Sequence, residues 1–176
     1  MISLSFTVPD LAMVFKKRQR DIMLVLAASM QTNRAMMFDK DGADNGKQKW
    51  APLVLRSGRP LQKTGTLRKS MAPSNDGMRP GKGQGSKLQI NGTEVQIGTT
   101  LAYAPMMNDG TAKMPGGVLK AVRAQALKIP LGGGKFMFRK SVRIPSRRMD
   151  EITAQDSQEW ADTLAAYIAD VLNGVG

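Results

Sequence analysis

The sequence has no cysteine and no histidine. The first absence removes disulfides and thiolate metal or redox chemistry. The second removes the commonest general base and the commonest metal ligand. Aromatic residues are scarce, at 5%, so base stacking has few platforms. No apolar run approaches the length of a membrane span, and the first residues lack the basic-then-apolar layout of a signal peptide. The expectation is a protein that stays inside the cell that makes it, with no membrane partner.

Acidic residues are missing where basic ones crowd. The chain has 176 residues and a net charge of +12. Residues 51–149 hold 18 Lys and Arg against three acids, whereas residues 150–176 hold six acids and no Lys or Arg. Such asymmetry fits nucleic-acid contact. It equally fits an acidic segment that meets a basic surface, on its own chain or on a neighbouring copy. The second reading is preferred, because the acids sit on a patterned helix.

The length suits one domain, 1–176, with a real core. Ile2 to Phe6 alternate apolar and polar, as in a half-buried strand. Pro9 and Asp10 suit a helix start, and no Gly or Pro follows until beyond Met37. Leu11, Val14, Phe15, Ile22, Val25, Leu26, Met36 and Met37 recur at helical spacing, so one long helix is expected. Flexible loops are expected near 39–49, 73–85 and 111–123. Trp50 beside Pro52 reads as a packing anchor. Thr64 or Thr66 reads as the cap of a short helix, with Leu61 and Leu67 turned inward.

Asn91-Gly92 predicts a two-residue type I′ hairpin turn. The implied register pairs Ile90 with Thr93, Leu88 with Val95 and Ser86 with Ile97, and puts Leu88, Ile90, Val95 and Ile97 on one face. A short helical turn opened by Pro105 follows, with Tyr103 and Met107 as docking residues. A second hairpin is expected over 124–139 with a tip at 130–134, carried on to Ile144. The last element, 150–174, carries a stripe of Trp160, Leu164, Tyr167, Ile168, Val171 and Leu172. Asp156-Ser-Gln-Glu159 reads as a capping box with Asp156 in the cap, and Asn173-Gly174 as the stop. The fold class is α+β: an antiparallel sheet of two hairpins plus an N-terminal strand, packed against a long N-terminal helix and a C-terminal amphipathic helix.

Chemistry is thin. Asp39, Asp41, Asp44 and Asp109 are the acids that could gather, but 39–50 lacks the closing Glu of a calcium loop. Thr64-Gly65 belongs to no phosphate-binding loop. Phe136 and Phe138 alternate with Met137 in a strand, which fits core packing and base stacking alike. No enzyme activity and no cofactor are expected. Contact residues for an anionic partner are Lys16, Lys17, Arg18, Arg20, Lys113, Lys120, Arg123, Arg147 and Arg148.

Three segments together resemble a known family. These are Trp50-Ala-Pro-Leu53 with Leu61-Gln-Lys-Thr-Gly-Thr-Leu-Arg-Lys-Ser70; Val95-Gln-Ile-Gly-Thr to Tyr103-Ala-Pro-Met-Met-Asn-Asp-Gly110; and Val142-Arg-Ile-Pro-Ser-Arg-Arg-Met149. Their order and spacing are similar to those of the phage virion morphogenesis or tail completion proteins of Mu-like phages. Met107 stands where that family usually has His, and Arg148-Met149 where it often has Pro-Phe; both positions are read as structural. The resemblance implies a structural virion protein at the neck or the upper end of the tail, made in the host bacterial cytoplasm. It would complete the tail or join it to the head, as a tail terminator or neck component. The implied partners are copies of itself in a ring, a hexamer by preference, with the head–tail connector and tail tube proteins as neighbours and viral double-stranded DNA passing through. The rival reading is a basic DNA-binding protein acting through 16–20 and 111–148.

Overall fold

A computed structural model gives an α+β fold. It describes residues 11–53, 58–62, 64–132 and 134–174, and their side chains apart from those of 11–15 and 132. The expected strand at 2–6, the Pro9–Asp10 helix start and the side chains of Leu11, Val14 and Phe15 lie outside the described residues.

Without an internal Gly or Pro, the first helix runs unbroken: α1 spans Leu11–Asp39, about 43 Å at 1.5 Å per residue. Its buried face is mixed. Val25, Ala27, Ala28, Met37 and Phe38 are buried, but so are Gln31, Asn33 and Arg34, and Met36 is exposed, against expectation. Each buried polar side chain has a partner, as burial requires. Gln31 donates to the Gly81 carbonyl at 3.2 Å and accepts from the Gly81 N–H at 2.7 Å. Asn75 donates to the Ala28 carbonyl at 3.2 Å. These amide bonds lay the irregular 73–85 segment along the helix.

Helix α2 spans Thr66–Met71 and α3 spans Ala104–Asp109. The α2 cap is Gly65, with positive φ and no side-chain bond. Thr64 sits one residue further out and accepts weakly from the Thr66 N–H at 3.4 Å. Leu67 is buried and Leu61 packs on the core, as the sequence suggests. Pro105 stands in the first turn of α3. Met107 packs against the core, whereas Tyr103 is 42% exposed and does not dock the turn.

The main core gathers Met37, Phe38, Trp50, Leu67, Met71, Ala104 and Met149, with Leu61, Leu101 and Met107 around them. The Phe38 and Trp50 rings meet edge to face at 5.2 Å, a favoured aromatic geometry. Trp50 Nε1 donates to the Arg148 carbonyl at 3.0 Å. The expected anchor therefore ties the loop after α1 to the segment before the last helix.

Among the described residues the strands make three separate two-stranded ladders rather than one sheet. β1 (Ser86–Asn91) pairs with β2 (Glu94–Thr99). The face assignment holds, with Leu88, Ile90, Val95 and Ile97 half-buried and their neighbours exposed. The register does not: Ile90 opposes Val95 and Leu88 opposes Ile97. The turn is Gly92-Thr93, with φ +58° at Gly92 and no positive φ at Thr93, the pattern of a type II′ turn. A β-branched Thr resists the left-handed region, which makes this turn II′ rather than I′, and the shifted register sets aliphatic against aliphatic, which favours it over the Asn91-Gly92 turn.

β4 (Leu127–Gly132) and β5 (Lys135–Arg139) form the second hairpin. It is not carried on to 144. Instead β6 (Ser141–Val142) turns away to pair with β3 (Leu119–Lys120). The 111–123 segment is thus partly strand, preceded by a 3₁₀ turn at Pro115–Gly117. Thr111 anchors its start: buried, it donates from Oγ1 to the Gly117 carbonyl at 2.8 Å and accepts from the Ile144 N–H at 3.1 Å.

The last helix, α4, spans Ala154–Leu172. Its capping box is Thr153 with Asp156, three residues ahead of the expected cap. The Asp156 N–H donates to Thr153 Oγ1 at 3.2 Å and the Thr153 N–H donates to Asp156 Oδ2 at 3.0 Å. The stop at Asn173-Gly174 is as expected, with φ +75° at Gly174. Trp160, Leu164, Tyr167, Ile168 and Val171 are half-buried where α4 packs on α1, while Leu172 is exposed. Among the described residues no helix is long and apolar enough to cross a membrane.

Candidate interaction surfaces

The expected contact cations divide into three groups. Lys16, Lys17 and Arg20 are exposed near the start of α1, with Arg18 half-buried and 3.7 Å from Asp21. They lie beside the β1–β2 turn and the C-terminal half of α4, where Lys16, Gln19, Ile22, Met23, Thr93 and Ile168 line a shallow groove. Lys113 and Arg148 lie near the opposite end of α1, about 30 Å away along the helix. Lys113 holds Asp109 at 2.8 Å, and Arg148 holds Asp150 at 2.9 Å. Lys120 and Arg123 are exposed. The 16–20 group and the Lys113 and Arg148 group therefore do not form one patch.

Arg147 is not a contact residue. It is buried, and its guanidinium donates to the Ala51 carbonyl at 3.1 Å and the Pro52 carbonyl at 3.4 Å. Its backbone N–H donates to the Asn108 carbonyl at 3.1 Å. A planar cation with several donors suits this stapling of backbone carbonyls. Sequence reasoning counted its charge and had no means to see its burial.

The acids that could gather do not. Asp39 pairs with Arg68, Asp41 with Arg59 and Asp44 with Lys40. Among the described residues no three metal-ligating side chains come together.

What sequence reasoning missed is a buried ionic joint at the N-terminus of α4. Lys47 Nζ lies 2.6 and 2.7 Å from the two Asp156 oxygens, with both side chains almost wholly buried. Asn45 donates to Asp156 at 2.8 Å and to Glu159 at 2.9 Å, and Asn33 donates to Glu159 at 3.0 Å. Arg34 donates to the Glu151 carbonyl at 2.7 Å. Burial pushes the Asp156 carboxyl up, but the bonds from Lys47, the Thr153 N–H and Asn45 outweigh it, and the net shift is below the usual carboxylate range. Burial pulls the Arg34 guanidinium down, opposed by Asp156, Asp150 and Glu151. Part of the acidic C-terminal segment thus meets cations of its own chain, as one branch of the charge reading expected. The only signal in the sequence was the unusual concentration of Asp, Asn and Lys in the 39–47 loop.

The β4–β5 ribbon stands out for opposite reasons. On one side Leu127 and Ile129 line an apolar groove of about 420 Å³, shared with Leu53, Leu61, Met107 and Val142. On the other side Phe136 is 49% and Phe138 65% exposed. Core packing does not account for these rings. Lys128, which opposes Phe138, places Nζ 4.0 Å from the Phe136 ring centroid, a cation–π contact. From Gly110 to Met149 the chain has no acid, and Lys135, Arg139, Lys140 and Arg143 are all exposed around the ribbon.

Compared with protein-family models, curated proteins and solved structures, the chain matches none.

Proposed function

We propose that this is a structural protein of a tailed-phage virion, which completes the tail or joins it to the head as a ring of identical copies, a hexamer by preference. The neck or the upper end of the tail is its place, and the connector and tail tube proteins are its neighbours. The observation that carries this reading is the meeting of the three segments that resemble the tail completion family. Trp50, Leu61, Leu67, Ala104, Met107 and Met149, drawn from all three, share one core, and Arg147 staples the third segment to the first. Segments that lie far apart in the chain are thus parts of one joint, which fits a shared fold better than chance similarity. Met107, the position where the family usually has His, packs against that core. The separated charges suit repeated contacts between copies, basic against acidic.

The test is to remove the gene from a phage that carries it and image the particles. Heads and tails that fail to join, or tails of unregulated length, are expected, with rescue by the intact gene; normal particles would refute the reading. The DNA-binding alternative draws support from the exposed cations of the ribbon. It requires a monomer that binds duplex DNA at about 150 mM salt, with an affinity that falls steeply as salt rises.

A further inference from the structure

We infer that the Phe136–Phe138 face of the β4–β5 ribbon is the surface by which one copy of this chain grips the next, and that it seats on the outer face of the neighbour's α4. The inference rests on the ring reading above and names its interface.

Two exposed phenylalanines on a basic ribbon need an apolar floor within an acidic border. Exposed apolar groups gathered in this way mark interaction sites rather than ordinary surface. The same chain carries such a floor. Ala161, Ala165, Ala169 and Leu172 are exposed on α4, with Asp162 and Asp170 exposed beside them. At 100° per residue the three alanines and Leu172 fall within about 80° of one another, beside the stripe that packs on α1, with Asp162 next to them and Asp170 further round the helix. No Lys or Arg occurs in 150–176.

The spacings agree. Residues two apart in a strand are about 7 Å apart, and residues four apart in a helix about 6 Å. Phe136 and Phe138 therefore match successive alanines along α4. The alanines leave room for the rings to approach the helix backbone. Lys128 shares the ribbon face with Phe138 through its cross-strand pairing, and Lys140 follows directly on the end of β5. Both are exposed and stand to meet Asp162 and Asp170. Their four-carbon stems keep the charges in water while the rings are covered.

Within one chain these faces do not meet: α4 packs on α1, and both complementary faces are left exposed. Contact between them is heterologous, head to tail, so each copy offers one donor face and one acceptor face. Such an interface closes into a ring or runs on as a filament.

Mass measurement of the full chain at about 150 mM salt tests this, by sedimentation or light scattering. The wild type is expected as a closed oligomer. Phe136→Ser with Phe138→Ser, and separately Asp162→Lys with Asp170→Lys, are each expected to weaken association by about 100-fold or more, the scale of lost hot-spot residues. Each variant then runs as the 19.1 kDa monomer. Mixed in equal amounts, the two variants have one good interface between them and are expected to give a heterodimer and nothing larger. Lys128→Asp with Lys140→Asp, added to the Asp162→Lys, Asp170→Lys variant, is expected to restore assembly, which shows that the reversed-charge chain is folded.

A wild-type oligomer matched by both variants would overturn the inference while leaving the ring in place. A monomeric wild type would overturn both. Phe variants that keep their mass but lose duplex-DNA affinity would assign the ribbon to nucleic acid and overturn the inference.

Discussion

The joint at the end of α1 and the β4–β5 ribbon are built from the same residue types and treat them in opposite ways. At the joint, Lys47 and Arg147 are buried, the one held by the Asp156 carboxylate and the other by two backbone carbonyls. On the ribbon, Lys128, Lys135 and Arg139 are exposed, and so are the rings of Phe136 and Phe138. A buried ion pair must offset the loss of hydration with good geometry, so it fixes one arrangement and fails when one partner is removed. An exposed cation has little effect on stability and remains free to meet something else. The difference separates what this chain uses to hold itself together from what it presents outward.

The largest expected effect comes at the joint. Trp50→Ala removes the ring that packs on Phe38 and bonds the Arg148 carbonyl, and should destabilise the fold by about 4 kcal/mol in urea unfolding. Lys47→Met leaves the Asp156 carboxylate buried without its cation, with an expected loss of about 3 kcal/mol. The paired change Lys47→Met with Asp156→Leu should recover part of that loss, since no charge is then stranded. Gly110→Ala comes next. Gly110 has φ +67°, and an added Cβ would stand 2.5 Å from the Ile144 carbonyl oxygen and 2.6 Å from the Ser146 nitrogen. A cost of about 2 kcal/mol is expected, read as a lower thermal midpoint.

Acid separates the regions without mutation. The Asp156 carboxyl is held below its ordinary value, so the stability it contributes is full above the unfolded value, near 3.9, and is lost as pH falls through the lower folded one. The melting temperature should fall below about pH 4, and this acid arm should flatten in Lys47→Met. The smallest effect belongs to the ribbon: Phe138→Ser should change stability by no more than about 0.5 kcal/mol, whatever it does to association. A larger loss would mean that the ring supports the fold, and the contrast would fail.

The sequence made the helices legible because their periodicity is local. A run without Gly or Pro marked α1, and a clear apolar stripe marked α4. The first hairpin kept its faces but shifted its register, because both two-residue turns preserve the alternation and only the cross-strand pairing of Leu88 with Ile97 and Ile90 with Val95 decides between them. The α4 cap was misplaced for a related reason: Asp156 looks like a cap from its neighbours, yet it serves as the third residue of the box while its carboxylate reaches Lys47. The α1 stripe was read too apolar, since Gln31, Asn33 and Arg34 are buried through bonds to Gly81, Glu159 and Glu151 that no local pattern encodes. Arg147 and Phe138 mark the same limit from two sides: a charge taken as surface is buried, and a ring that fits the core is exposed. Strand pairing across the chain, as between β3 and β6, has no local signature either.

The ion pair between Lys47 and Asp156 also sets a clock. Their positions are 109 apart in the chain, and a ribosome adds about 5–20 residues each second. Lys47 therefore waits on the order of 5–20 seconds for its counter-charge to be made. Until then the end of α1 and the loop after it cannot be sealed, and Trp50 still lacks the Arg148 carbonyl. The bonds of this joint are therefore complete only once α4 has been made.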